Sequence, residues 1–559
     1  MAAAPHCLLL LLVLIPTLLR GVVGGSGAGG EARKTYIFRV DHSAKPSVFP
    51  SHAHWYSSAA FASGADGAPL EPLHVYDTVF HGFAASVPAS RADALRRHPA
   101  VLAAFEDQGP TAMSVTNLAP WLATVGAGTI DRNFPAEIVL GDGRRMSGVS
   151  LYSGKPLTNT MLPLFYPGRS GGLSASLCME NSIDPSVVSG KIVICDRGSS
   201  PRVAKGMVVK DAGGVAMVLA NGAANGEGLV GDAHVLPACS VGENEGDTLK
   251  AYAANTTNPT ATINFKGTVI GVKPAPVVAS FSARGPNGLV PEILKPDFIA
   301  PGVNILAAWT GATGPTGLES DPRRTEFNIL SGTSMACPHA SGAAALLRSA
   351  HPGWSPAAIR SALMTTAVAT DNRGEAVGDE AEPGRVATPF DYGAGHINLG
   401  KALDPGLVYD IGDDDYVAFM CSIGYEANAI EVITHKPVAC PATSRNPSGS
   451  DLNYPSISVV FYGGNQSKTV IRTATNVGAA ASATYKPRVE MASSAVSVTI
   501  KPENLVFSPT AKTQRFAVTV ASSSSSPPAS APVYGHLVWS DGGGHDVRSP
   551  IVVTWLQSM

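Results

Sequence analysis

Between residues 33 and 107, hydrophobic and polar positions switch repeatedly between a period of two and a helical period. Thr35–Val40 reads as a strand and His52–Ala62 as a helix. Leu73–Tyr76 and Gly82–Val87 read as paired strands, Ser90–Arg97 as a helix opened by a good N-cap, and Val101–Phe105 as a last strand. The order βαββαβ predicts a small ferredoxin-like unit over 33–108. Further on, Lys191–Cys195 has the continuous apolar pattern of a buried strand, Val203–Ala212 is helical, and Gly214–Leu219 is another strand before Gly- and Asn-rich turns. Val277–Phe281 and Pro296–Ala300 read as strands, and Ser355–Ala367 as a capped helix. From Asp451 onward short alternating strands, among them Val496–Ile500, Gln514–Val520 and Ile551–Trp555, predict a β-sandwich. Ser522–Ser526 with Pro527 and Pro528 reads as a flexible loop inside it.

The amino terminus has a different pattern. An apolar run, Cys7–Leu19, is followed by Arg20 and the small residues Gly21–Gly30. It is too short to span a membrane comfortably and has the form of a secretory signal over 1–24, with cleavage after Gly24 or Ala28. No later stretch is apolar for long enough to span, so a secreted, extracellular, soluble protein is expected.

Composition narrows the class. The chain has 559 residues, 45% hydrophobic and 15% charged, with a formal net charge of -3. That is globular, and it lacks the basic footprint of a nucleic-acid partner. Loss of Cys7 with the leader leaves Cys178, Cys195, Cys239, Cys337, Cys421 and Cys440, whose connectivity sequence alone leaves open. Proximity favours Cys178–Cys195 and Cys421–Cys440, with Cys337 free. Asn255-Thr256-Thr257 and Asn465-Gln466-Ser467 are sequons suited to glycosylated loops. No metal-ligand cluster stands out, so no cofactor is expected.

The chemistry concentrates in Ser331-Gly332-Thr333-Ser334-Met335-Ala336-Cys337-Pro338-His339, directly ahead of the apolar run Ala340–Leu347. This reads as a tight turn feeding a helix, with Ser334 at its first turn, where unpaired N–H groups and the helix dipole favour negative charge. Pro338 is expected where the helix needs no N–H from it. The nonapeptide resembles the nucleophile motif of the subtilisin-like serine proteases (subtilases), and Phe327–Ala345 resembles the plant members. The resemblance extends to Tyr76…Phe80–Ala85 in the family's propeptide, to Ser114–Trp121 and Thr129–Arg132 in the middle of the catalytic domain, and to Gly393–Asn398 and Leu407–Asp410. It implies a multidomain α/β chain. The parts are an inhibitor I9-like ferredoxin-like propeptide (33–108), a catalytic fragment (109–150), a protease-associated (PA) domain (151–271), a catalytic C-terminal half carrying the nucleophile (272–420) and a fibronectin III-like domain (451–557). The implied activity is peptide-bond hydrolysis through an acyl-enzyme on Ser334. Gly332, Thr333, Met335, Pro338 and His339 frame it, protein or peptide is the substrate, and the apoplast or cell wall is the location.

A serine hydroxyl needs a base, and the base needs an orienting carboxylate. In this family their order is Asp, His, Ser. Asp77-Thr78-Val79 lacks the expected glycine, His81-Gly82-Phe83 lies in the propeptide-like hairpin, and no histidine occurs between His98 and His234. His339 follows Ser334 by five residues, ~140° around a helix, which points it to another face. The resemblance makes it and His396 structural. Asp107 stands where the family's oxyanion asparagine precedes Gly109-Pro110. A block is therefore expected to be missing at Gln108/Gly109, with hydrolysis deficient, the doubly wound parallel sheet incomplete and apolar faces exposed. The alternative reading is a non-catalytic regulator that acts on intact subtilases through the propeptide-like unit.

Overall fold

The structure, a computed structural model, describes residues 33–556 apart from 59–60, 62–71, 73, 77–80, 107–112, 158–159, 199, 223–224, 441–450, 463–465 and 523–531. The leader-like segment, Asp107 with the Gln108/Gly109 junction, Asn465 and most of the 522–528 loop lie outside the described residues.

The first unit is an antiparallel sheet in the order His74–Tyr76, Gly82–Pro88, Arg33–Val40, Val101–Glu106. Helices His52–Tyr56 and Ala89–Arg96 accompany it, and Phe38, Tyr56, Phe61, Phe83 and Leu95 fill its core. The ferredoxin-like order is present. Two details differ from expectation. The first helix ends at Tyr56 rather than continuing to Ala62. The second has Pro88 at its N-cap position and no side-chain cap. The preceding strand runs through Pro88, so no linker residue is left to supply a capping hydroxyl.

The second unit is a closed barrel. Its strands run around it in the order Ile192–Asp196, Ala216–Ala220, Ala238–Val241, Arg145–Val149, Pro135–Leu140, Thr260–Phe265, Leu162–Phe165. Sequence placed its start at 151, but the two strands at 135–149 belong to it. Pro135–Leu140 alternates half-buried and buried positions, and Ile138 pairs with Ile263 across the ladder. Their apolar faces (Ala136, Ile138, Leu140, Met146) join Ile192, Ile194, Val218 and Ile263 in one core. A short ribbon, Arg132–Asn133 against Val269–Ile270, forms the stalk where the chain enters and leaves the barrel. Cys195, in the barrel strand Ile192–Asp196, is joined to Cys178, with Cα atoms 5.6 Å apart.

The third unit carries the serine motif. Val125–Gly128 lies parallel to Phe298–Pro301, with Val125 opposite Phe298. Among the described residues this two-stranded pair is all that represents the doubly wound sheet. A hairpin, Ile305–Ala308 with Phe327–Leu330, leads into helix Thr333–Ala350. Helix Pro356–Thr365 follows, its Ser355 cap accepting from the Ala358 N–H at 2.9 Å. The expected strand Val277–Phe281 does not form. Val278 makes only isolated bridges to Gly128 and Asp379, because its neighbours divide their hydrogen bonds between two segments. The Phe298 strand begins two residues after Pro296, which has no N–H to offer a ladder.

The last unit is the expected sandwich. Four strands including Ser467–Asn476 and Thr513–Ser522 face five including Val533–Ser540 and Asp546–Leu556, around Trp539, Phe516 and Val470. One edge, Leu407–Val408, comes from ahead of residue 451. A second joined pair, Cys421 with Cys440 (Cα atoms 5.5 Å apart), closes the preceding helical segment. Tyr454, at the start of this unit, ties it to a buried ion pair and a buried arginine of the third. Lys295 meets Asp297 at 2.8 Å, Tyr454 bonds to Asp297, and Arg360 lies 4.6 Å over the Tyr454 ring.

Candidate active site

The site starts at a corner. Pro301 ends its strand, and Gly302–Asn304 turns the chain into Ile305–Ala308. An added side-chain carbon at Gly302 would lie 3.0 Å from the Gly332 carbonyl and 2.6 Å from Ala127, so only glycine lets the two backbones approach this closely. The Gly332 N–H donates to the Gly302 carbonyl at 2.8 Å. Gly332, with an extended backbone, is the N-cap, and the helix runs for 18 residues from Thr333. Ser334 therefore sits in the first turn, exposed, at the positive end of a long dipole.

Pro338 is placed differently from expectation. It lies inside the helix, past the first turn. It therefore cannot donate to the Ser334 carbonyl, which keeps that carbonyl out of the regular ladder. The helix buries Ala336, Ala340, Ala343 and Leu347. The opposite side, with Cys337, Ser341, Ala345 and Leu346, is exposed. Leu346 on this side is 56% exposed. Along this side runs a groove of about 850 Å³ whose lining includes Trp121, Val125, Phe298, Cys337, Ala340 and Trp354.

Among the described residues the Ser334 hydroxyl has no hydrogen bond. His339 Nδ1 lies 2.8 Å from the Met335 carbonyl, one turn back along its own helix. That bond makes Nδ1 the protonated nitrogen and turns the ring along the helix rather than toward Ser334. His396 is half-buried where Val368 and Ile299 cross it. Its Nδ1 lies 3.2 Å from the Ile397 carbonyl, and its Nε2 has no partner among the described residues. Burial pushes its pKa down, and the nearby His339 adds to this. Asp297, in the segment that resembles the family, is the buried partner of Lys295 and Tyr454 and not of any histidine.

Cys337 is a free, exposed thiol three residues after Ser334, and Cys239 is free and buried in the barrel, where burial pushes its thiol up to about 12. Asn255, exposed, ends helix Glu243–Asn255. No group of three metal-ligating side chains occurs among the described residues.

Sequence reasoning passed over Arg132 and Asn304. Asn304 is 6% exposed and holds a left-handed backbone at φ 57°. The available signal was its residue type after Pro-Gly-Val, because asparagine tolerates that conformation best after glycine.

The corner, the turn and the long helix behind Ser334 define a member of the subtilase class. The profile of the subtilase family matches residues 181–395, that of the peptidase inhibitor I9 matches 35–112, and a fibronectin type-III domain matches 451–553. The subtilisin-like protease SBT1.6 of Arabidopsis thaliana is 64% identical over 458 residues, covering 81% of this chain and 59% of that protein. SBT1.5 of the same plant is 50% identical over 517 residues, covering 90% and 66%. The chain belongs to the plant subtilisin-like serine protease family. It spans 59–66% of the length of these two relatives.

Proposed function

We propose that this chain holds the nucleophile half of a secreted serine endopeptidase and is hydrolytically silent by itself. The carrying observation is Ser334, exposed on a helix N-terminus with no hydrogen-bond partner for its hydroxyl among the described residues. The sequence supports it, because no histidine stands between His98 and His234, where the family order requires the base. A block at Gln108/Gly109 that includes the base, the orienting acid and the oxyanion asparagine accounts for both. With a triad member missing, rate falls by ~10⁴–10⁶. The barrel is read as a PA domain without chemistry of its own, and Asn255 as a glycosylation site. The test is an active-site-directed fluorophosphonate on the purified full chain. We expect labelling no higher than in Ser334→Ala, and stoichiometric labelling at Ser334 refutes the proposal.

A second reading, inhibition of intact subtilases, is favoured by the four-stranded sheet within 33–106 with its own aromatic core. Adding the full chain to an active family member and finding its rate unchanged removes that reading.

A further inference from the structure

We propose that Arg132 and Asn304 are positioning residues that tie the stalk of the barrel to the turn presenting Ser334. The stalk is the covalent route into and out of the barrel. It is narrow, with Val269 opposite Asn133 and Ile270 opposite Arg132, extended by the Val272 N–H to the Asp131 carbonyl at 2.9 Å. From it Arg132 reaches out of its own ribbon, and Nη2 donates to the Asn304 carbonyl. Its Nε is buried and has no partner among the described residues. A charged group half-buried for a single carbonyl is a directed contact, since desolvating it without that bond is costly.

Asn304 passes the contact on. Its N–H donates to Ser331 Oγ at 2.9 Å. Two residues earlier the Gly302 carbonyl accepts from the Gly332 N–H at 2.8 Å. The corner thus grips residues 331 and 332, immediately ahead of Ser334, by one side-chain bond and one backbone bond. The left-handed backbone of Asn304 aims its carbonyl and its N–H at these two partners, and the side-chain oxygen, buried without a partner, takes no part. The series runs from stalk to Arg132, Asn304, Ser331 and the nucleophile turn without a gap. Any tilt of the barrel on its stalk moves the Arg132 guanidinium, and with it the corner that sets the direction of Ser334.

The inference rests on the reading of Ser334 as the nucleophile, but its test needs no hydrolysis, and the fluorophosphonate experiment tests that reading separately. In the full chain, hydrogen exchange at the Asn304 and Gly332 amides reports the two bonds. A fluorine tag on Cys337, the exposed thiol three residues past Ser334, reports the turn in a Cys7→Ser background, while Cys239 is buried and stays unmodified. We expect Arg132→Ala to speed both amides by about fivefold or more, the order of one lost charge-assisted bond, and to shift the tag's resonance. The unfolding midpoint should stay unchanged. Arg132→Lys, which keeps a donor, should restore most of the protection. Arg145→Ala, which breaks an exposed barrel pair with Glu137, should change nothing. Exchange in Arg132→Ala that matches wild type overturns the proposal, as does equal loosening by Arg145→Ala, or a lowered midpoint without any local change. If Arg132→Ala does not fold, Asn304→Gly against Asn304→Val decides. Glycine keeps the left-handed turn and should behave as wild type, valine cannot and should loosen the turn, and equal behaviour of the two overturns the proposal.

Discussion

The barrel and the serine-bearing unit solve the same problem in opposite ways. The barrel closes, so every strand has a neighbour on both sides and the interior is filled by Ile138, Ile192, Ile194, Val218 and Ile263. The serine-bearing unit has two parallel strands, and irregular segments satisfy their outer edges. Ala279 donates to the Ala127 carbonyl and Ile299 to that of Gly395, both at 2.9 Å. Without a ladder to hold those segments, buried charge holds them. Arg284 meets Asp379 at 2.8 Å and Asp391 at 3.2 Å, and Arg385 bonds to both acids. Closure lets a sheet rest on apolar burial, and an open two-stranded pair depends on geometry that a single lost partner undoes.

The largest expected effect follows from that contrast. Arg284→Met leaves Asp379 and Asp391 buried and short of a counter-charge, a loss of about 3–5 kcal/mol. Chemical denaturation followed by tryptophan fluorescence reads it, because none of the six tryptophans lies in the barrel at 135–265. A loss below about 1 kcal/mol would mean that the ion cluster does not hold the unit together. Next is Leu347→Ala on the Ser334 helix. Leu347 is fully buried beside Phe298 and Leu363, so about 2–5 kcal/mol should be lost in the same assay.

The sequence made the outer units readable and blurred the centre, for physical reasons. The ferredoxin-like unit and the sandwich pack one face each, so the period of their apolar positions reports their elements directly. Pro135–Leu140 also alternates, but its resemblance to no particular neighbour left it attached to the catalytic segment before it. Only pairing with Thr260–Phe265, over a hundred residues away, assigns it to the barrel. Val277–Phe281 has a strand's composition without a strand's partner, and composition cannot tell these apart. Within the site, Ser334 and its helix were legible from the nonapeptide. The Arg132–Asn304 contact was not, because it joins positions far apart through a backbone carbonyl, and carbonyls carry no residue type.

The barrel has its own weak point. His234 is buried against Gly206, both ring nitrogens lack partners among the described residues, and burial pushes its pKa down to about 4. Asp232 opposes that shift, and Arg202 and Arg323 add to it. The folded barrel therefore refuses a proton that the unfolded chain accepts below about 6.5. The His234 contribution to stability is fully present above that pH and is lost as pH drops from about 6.5 to about 4, by roughly 3 kcal/mol, then levels. His234→Asn should flatten this window in denaturation curves read by far-ultraviolet circular dichroism. An equally steep slope in that variant would assign the loss to other groups.

The smallest effect is the sharpest test of the comparison. Leu346 is next to Leu347 in sequence, but it is 56% exposed where Leu347 is 0%. In a helix packed on both sides, polar substitution at either position would cost several kcal/mol. Here Leu346→Ser should change stability by no more than ~0.5 kcal/mol. The measurement is the same denaturation curve at two protein concentrations, tenfold apart. A loss approaching that of Leu347→Ala, at either concentration, would mean that the outer face of this helix is covered in solution and that the serine-bearing unit is not open there.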